Sequence, residues 1–108
     1  MSTITTHVLD TALGQPAEGV PVHLYRTADS SAVGSGTTDA DGRVTAFSSE
    51  QLEPGTYQLR FDVAAYAVAS NQEFFFPEVT VTFKITDERH YHVPLLLSPF
   101  AYSTYRGS

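Results

Sequence analysis

The chain contains no cysteine, which removes disulfide frameworks, thiol nucleophiles and cysteine-based metal sites together. Whatever chemistry it performs must use oxygen and nitrogen groups. Basic residues are scarce as well: six Lys plus Arg stand against twelve Asp plus Glu, a formal charge of -6. So few cations cannot neutralise a phosphate track, which argues against nucleic acid and anionic membrane surfaces as partners. A small anionic ligand would need a locally basic pocket in an acidic protein. No apolar run nears the roughly 20 residues that cross a bilayer. Met1-Ser2-Thr3 leads straight into an ordered-looking segment, with no basic region followed by an apolar one, so no secretory leader is expected. The expected compartment is the cytoplasm, or the peroxisome or periplasm if a leader has been removed. Gly-rich phosphate loops, a serine elbow and an HExxH helix are also missing.

What is present reads as β structure. A chain of 108 residues suits one domain, 1–108, with a core that needs no staples. Runs rich in Val, Thr, Tyr and Phe recur about every eight to twelve residues between Gly, Pro and Asp punctuation, the pattern of an antiparallel sandwich. Eight strands are predicted: Ile4–Leu9, Val20–Arg26, Ser31–Thr37, Arg43–Phe47, Tyr57–Val63, Val79–Thr86, Tyr91–Leu97 and Ala101–Arg106. Alternation is clearest from Val79 to Ile85, where Val79, Val81, Phe83 and Ile85 share one face. The alanine-rich stretch between Asp62 and Gln72 predicts a short helix with Asp62 as its cap. The fold class is therefore all-β, two four-stranded sheets with one short helix. Asp41-Gly42 predicts a tight hairpin turn that sets Arg43 at the start of the next strand. Asp39-x-Asp41-Gly42 resembles the opening of a calcium loop but lacks the later acidic ligand.

Two kinds of side chain are candidates for chemistry. Histidine titrates unaided near neutrality, and the chain has four. His23 sits among Val22 and Leu24, which claim the core and turn it outward. His90 and His92 would share a strand face, a weak metal pair without a third ligand. His7, inside the first strand, reads alone as a hydrogen-bonded strand histidine. Arg26, Arg60 and Arg89 read as solvated charges at strand ends or outer faces, and Arg43 and Arg106 could be the same. The segment Tyr105-Arg106-Gly107-Ser108 follows the apolar run Val93-Pro94-Leu95-Leu96-Leu97 without a polar tail. Held against the folded body, its arginine, hydroxyls and carboxylate would form a compact polar cluster.

Two long segments carry a resemblance. His7-Val8-Leu9-Asp10-Thr11-Ala12-Leu13-Gly14-Gln15-Pro16-Ala17, followed by Gly19-Val20-Pro21-Val22, resembles the opening of the transthyretin-like family. Tyr91-His92-Val93-Pro94-Leu95-Leu96-Leu97-Ser98-Pro99-Phe100-Ala101-Tyr102-Ser103-Thr104-Tyr105-Arg106-Gly107-Ser108 resembles its closing signature. Thr38 to Arg43 and Gly55 to Tyr66 fit between them. Within that family the ending Tyr-Arg-Gly-Ser marks the 5-hydroxyisourate hydrolases of urate breakdown rather than the hormone carriers.

The resemblance implies a transthyretin-like (prealbumin-like) sandwich and a site of His7, Arg43, His92, Tyr105, Arg106, Gly107 and Ser108. It implies hydrolysis of 5-hydroxyisourate to 2-oxo-4-hydroxy-4-carboxy-5-ureidoimidazoline, by water attack at a carbonyl of a planar bicyclic ring. His7 or His92 would activate the water, and the reading leaves open which. Arg43 and Arg106 would bind substrate and stabilise charge. Ser108 would bond substrate or fix a histidine, while Tyr105 and Gly107 shape the site. No metal or organic cofactor is implied. The family assembles as a homotetramer, a dimer of dimers paired by edge strands, and here the last two strands are expected as the edges because they carry no charge before Arg106. The alternative is a carrier of the transthyretin type that binds a small molecule without chemistry, or more remotely a cell-envelope module.

Overall fold

The computed structural model describes residues 3–47 and 52–107. Strand β1 (Ile4–Asp10) buries every second side chain, so Ile4, Thr6, Val8 and Asp10 point into the core while Thr5, His7 and Leu9 are half-buried on the opposite face. The same period of two places Val22 and Leu24 of β3 (Pro21–Arg26) inward and His23 outward. β4 (Ser31–Thr37), β6 (Gly55–Asp62) and β7 (Glu78–Ile85) complete one sheet in the order β4-β3-β6-β7. The other sheet runs β2-β1-β8-β9, from β2 (Gln15–Pro16), β8 (Tyr91–Ser98) and β9 (Ala101–Thr104), and β5 (Arg43–Val44) also pairs with β1. Between the sheets lie Val8, Val20, Val22, Leu59, Phe61, Val63, Val79 and Leu95, all fully buried. Each such side chain contributes about 1.5–3 kcal/mol by leaving water.

Helix α1 (Val63–Ala69) is capped as expected, the Asp62 carboxylate accepting from the Ala65 N–H at 3.1 Å. It buries only Val63 and Tyr66. The Tyr66 hydroxyl donates to Asp10 at 2.6 Å and the Gln72 amide donates to the same carboxylate oxygen at 2.9 Å. The Leu13 N–H donates to its other oxygen at 3.0 Å. Burial alone would raise the Asp10 pKa, but these hydrogen bonds outweigh it and hold the carboxyl below its ordinary value. Burial and the facing carboxylate together push Tyr66 up to about 12.

Several expectations change. The sandwich is not wholly antiparallel: β1 and β8 pair in parallel, from Ile4↔Tyr91 to Asp10↔Leu97. β8 is consequently central rather than an edge, which accounts for its nearly continuous burial from Tyr91 to Leu97. Of the last two strands only β9 lies at an edge. The strand expected over Arg43–Phe47 shortens to Arg43–Val44, and the free side of β1 is shared. β5 takes Thr6 and His7, and β2, which the sequence reading did not include, takes Leu9 and Asp10. Asp41-Gly42 does not close a hairpin of paired strands, since β4 and β5 belong to different sheets. It turns the chain from one sheet to the other.

That turn is built around Asp39, whose side chain accepts from the Asp41 and Arg43 N–H groups at 2.9 and 3.0 Å. Gly42 has φ +76, and a Cβ there would fall 2.3 Å from the Val8 carbonyl oxygen, so glycine is required on both counts. β9 stops at Thr104 rather than Arg106. Its register, Leu95↔Thr104, would bring Tyr105 opposite Pro94, which has no N–H to give. The ladder resumes two pairs later, where the Gly107 N–H donates to the His92 carbonyl at 2.8 Å.

Candidate active site

The outer face of the β1-β8 sheet gathers the polar side chains. Arg43 on β5 lies directly across from His7 on β1, and Thr5 on β1 directly across from His92 on β8. Neighbours at such positions have Cβ atoms about 5 Å apart. Alternation places Thr5, His7 and His92 on this face, each half-buried, while the Asp39 turn fixes the backbone of Arg43. Tyr105 and Gly107 return over the same face. A cleft of about 430 Å³ results, lined by Thr5, Arg43, His90, His92, Tyr105 and Gly107.

His92 is the most constrained of these groups. Thr5 Oγ1 lies 2.8 Å from its Nδ1, which leaves Nε2 as the ring nitrogen not engaged by Thr5. A Cβ on Gly107 would come within 2.5 Å of its Cδ2, so glycine lets the returning strand lie against the ring. Burial holds the His92 pKa below its ordinary value of 6.5, and the charges of Arg43, His7 and His90 lower it further, against one opposing hydrogen bond at Thr5. Burial and these charges each favour the neutral form of the ring.

Arg106 takes a different position from Arg43. Its guanidinium carbon sits 4.5 Å from the centre of the Tyr91 ring, a cation–π distance. This places it in an adjoining groove of about 250 Å³ between β7 and β9, beside Val81, Phe83 and Val93. His92 and Tyr105 line both spaces. Ser108 lies outside the described residues. His23 is exposed beside Tyr25 on the outer face of the other sheet. There too Arg60 lies over the Tyr25 ring at 4.4 Å.

Two residues of the cleft, Thr5 and His90, were not assigned to the site from the sequence. Thr5 bridges His92 and His90, its Oγ1 being 2.9 Å from His90 Nε2. His90 Nδ1 in turn lies 2.6 Å from Thr3 Oγ1. The sequence signal for His90 was its two-residue spacing from His92, read there as a weak metal pair; the partner that gives the spacing meaning is Thr5. The described residues hold no group of three or more His, Asp or Glu placed to bind a metal ion. No helix among them is long and apolar enough to cross a membrane.

The model of the HIUase/Transthyretin family matches residues 4–107. A mouse protein named 5-hydroxyisourate hydrolase is 46% identical, with 99% of this chain and 96% of that protein covered. The Arabidopsis thaliana uric acid degradation bifunctional protein TTL is 45% identical across 97% of this chain, which spans only 37% of the plant protein. Among solved structures, Klebsiella pneumoniae 5-hydroxyisourate hydrolase superposes with a TM-score of 0.91 at 39% identity, covering 100% of this chain and 94% of the other. Sea bream transthyretin in complex with thyroxine gives 0.88 at 32% identity, covering 97% and 94%.

Proposed function

The chain belongs to the HIUase/transthyretin family, and from that premise we propose that it hydrolyses 5-hydroxyisourate in the degradation of urate. The observation that carries this reading is a cleft that brings together Arg43 and a half-buried His92 whose pKa is lowered by burial and by that charge. A carrier cleft for an apolar ring has no use for two histidines and an arginine. A hydrolase needs a base, a charge-stabilising donor and a surface that orients a flat polar ring.

In this mechanism His92 Nε2 takes a proton from water as the oxygen attacks a carbonyl of the six-membered ring. Negative charge gathers on the carbonyl oxygen, where the guanidinium of Arg43 stabilises it. The ring C–N bond then breaks, the nitrogen recovers a proton, and the carbonyl leaves as a carboxylic acid. His7, which pairs with Arg43 across β1 and β5, is assigned to position the water or supply that proton. Arg106, Tyr105, Gly107 and Ser108 bind and frame the substrate. No metal or organic cofactor enters the proposal.

The assembly proposed is a homotetramer, a dimer of dimers. All four residues of β9 are exposed at a sheet edge, and Phe75 and Phe100 nearby are 70% and 79% exposed. An unpaired edge beside exposed aromatic rings favours pairing with a second copy. The test is a set of single substitutions assayed for turnover and for mass in solution. His7→Ala, Arg43→Ala, His92→Ala and Arg106→Ala are expected to retain the tetramer and lose most activity, about 10²–10⁴-fold where the base itself is removed. Normal turnover in any one would take that residue out of the site. Binding of thyroxine by an intact tetramer with no hydrolysis would favour the carrier instead.

A further inference from the structure

A threonine hydroxyl has one proton, yet Thr5 Oγ1 lies within hydrogen-bond distance of two imidazoles, His92 Nδ1 at 2.8 Å and His90 Nε2 at 2.9 Å. It can donate to one ring while accepting from the other, or accept from both rings at once. With both rings neutral, two arrangements keep a single direction of donation from end to end. In the first, His92 carries its proton on Nδ1 and donates to Thr5. Thr5 then donates to His90 Nε2, and His90 Nδ1–H donates to Thr3 Oγ1, 2.6 Å away. In the second every direction is reversed: Thr3 donates to His90, His90 to Thr5, and Thr5 to His92 Nδ1, so the His92 proton resides on Nε2. In a third, both rings donate to Thr5, whose own proton then bonds neither ring. Where Thr5 bonds the two rings in series, their tautomers are tied together.

Of the two serial arrangements only the first leaves Nε2 of His92 bare, which is what a base facing the cleft requires. We infer that His90 is a positioning residue for this reaction, selecting through Thr5 the Nδ1–H tautomer of His92. The inference rests on the reading of His92 as the base. Thr5 alone could not make the selection, because its hydroxyl rotates freely between donating and accepting. His90 supplies the acceptor: its ring is held at both nitrogens by two threonines of the same chain segment, Thr3 and Thr5, which sets Nε2 where it can take the Thr5 proton and leave that oxygen to accept from His92. Catalytic imidazoles are commonly oriented by such a third group, and loss of the right tautomer disables them with the geometry intact. Here a hydroxyl and a second imidazole occupy the place a carboxylate takes elsewhere.

The experiment is nitrogen-15 NMR of the ring nitrogens in the full, assembled protein, above the histidine titration range, combined with kcat. Wild type is expected to show His92 as the Nδ1–H tautomer. Thr5→Val keeps the strand-favouring shape but has no hydroxyl, and His90→Phe keeps a ring without an acceptor. Both should move His92 away from that tautomer and lower kcat about 10- to 100-fold, less than the loss of the base itself. Thr5→Ser and His90→Gln, whose amide oxygen can accept where Nε2 did, should retain both properties. An Nε2–H tautomer in wild type, or an unchanged one in Thr5→Val and His90→Phe, would overturn the inference. His92→Ala separates the two levels. Full activity there would remove the base and this inference with it, whereas an inactive His92→Ala beside a fully active Thr5→Val would overturn the positioning role alone.

Discussion

At the residue scale, His92 concentrates the physical tension of the cleft. It is half-buried, next to a guanidinium, and pressed by Gly107. Since its pKa is lowered, its basic form persists below the ordinary 6.5, and activity should fall on the acid side only as pH drops through that lower value. Removing the Arg43 charge relieves repulsion on the imidazolium, so Arg43→Gln should raise the His92 pKa. An NMR titration of His92 in the two proteins checks the sign, and an unmoved midpoint would contradict it. Gly107→Ala should displace the His92 ring, since the added Cβ would lie 2.5 Å from it; kcat should drop while the melting temperature stays near that of wild type. Resemblance to a family pointed to His7, Arg43 and His92 in the sequence. Thr5 and His90 were not legible, because their bond joins positions 85 residues apart, and nothing local marks a threonine as the partner of a distant ring.

At the element scale, the end of β1 is locked to α1 through Asp10, Tyr66 and Gln72. The Asp10 pKa is lowered by folding, so its contribution is present above the ordinary 3.8 and is lost as pH falls through the folded value. Tyr66 runs the other way: raised to about 12, it contributes fully below 10.0 and fades as pH climbs between those values. Urea unfolding of wild type and Asp10→Asn across pH 2 to 7 should show a smaller acid-side loss in the variant; parallel slopes would contradict it. Tyr66→Phe leaves the carboxylate short of a donor and should cost about 1–3 kcal/mol at neutral pH. The alternation of β7 and the Asp62 cap could be read from local pattern, because each is decided within a few residues. The parallel pairing of β8 with β1 could not. A continuous apolar run says that both faces are covered, but not which strand lies beside it.

At the scale of the whole molecule, the two sheets leave one end of the sandwich unfinished, with β9 exposed along its length and aromatic rings beside it. If assembly completes the clefts, specific activity should fall on dilution in step with loss of the tetramer, as followed by light scattering; activity retained by a monomer would contradict that. The core itself should tolerate little: Leu95, fully buried on the central strand, should cost about 2–5 kcal/mol on truncation to alanine. The overall architecture was largely legible because strand spacing and turn residues report it. The proposed tetramer rests chiefly on family resemblance, since an edge strand has no signature of its partner. The central claim is chemical, and ultraviolet absorbance during urate oxidation by urate oxidase tests it most directly. Decay of the 5-hydroxyisourate intermediate should quicken when this protein is added and return to the spontaneous rate with His92→Ala; decay unchanged by the assembled wild-type protein would contradict the account.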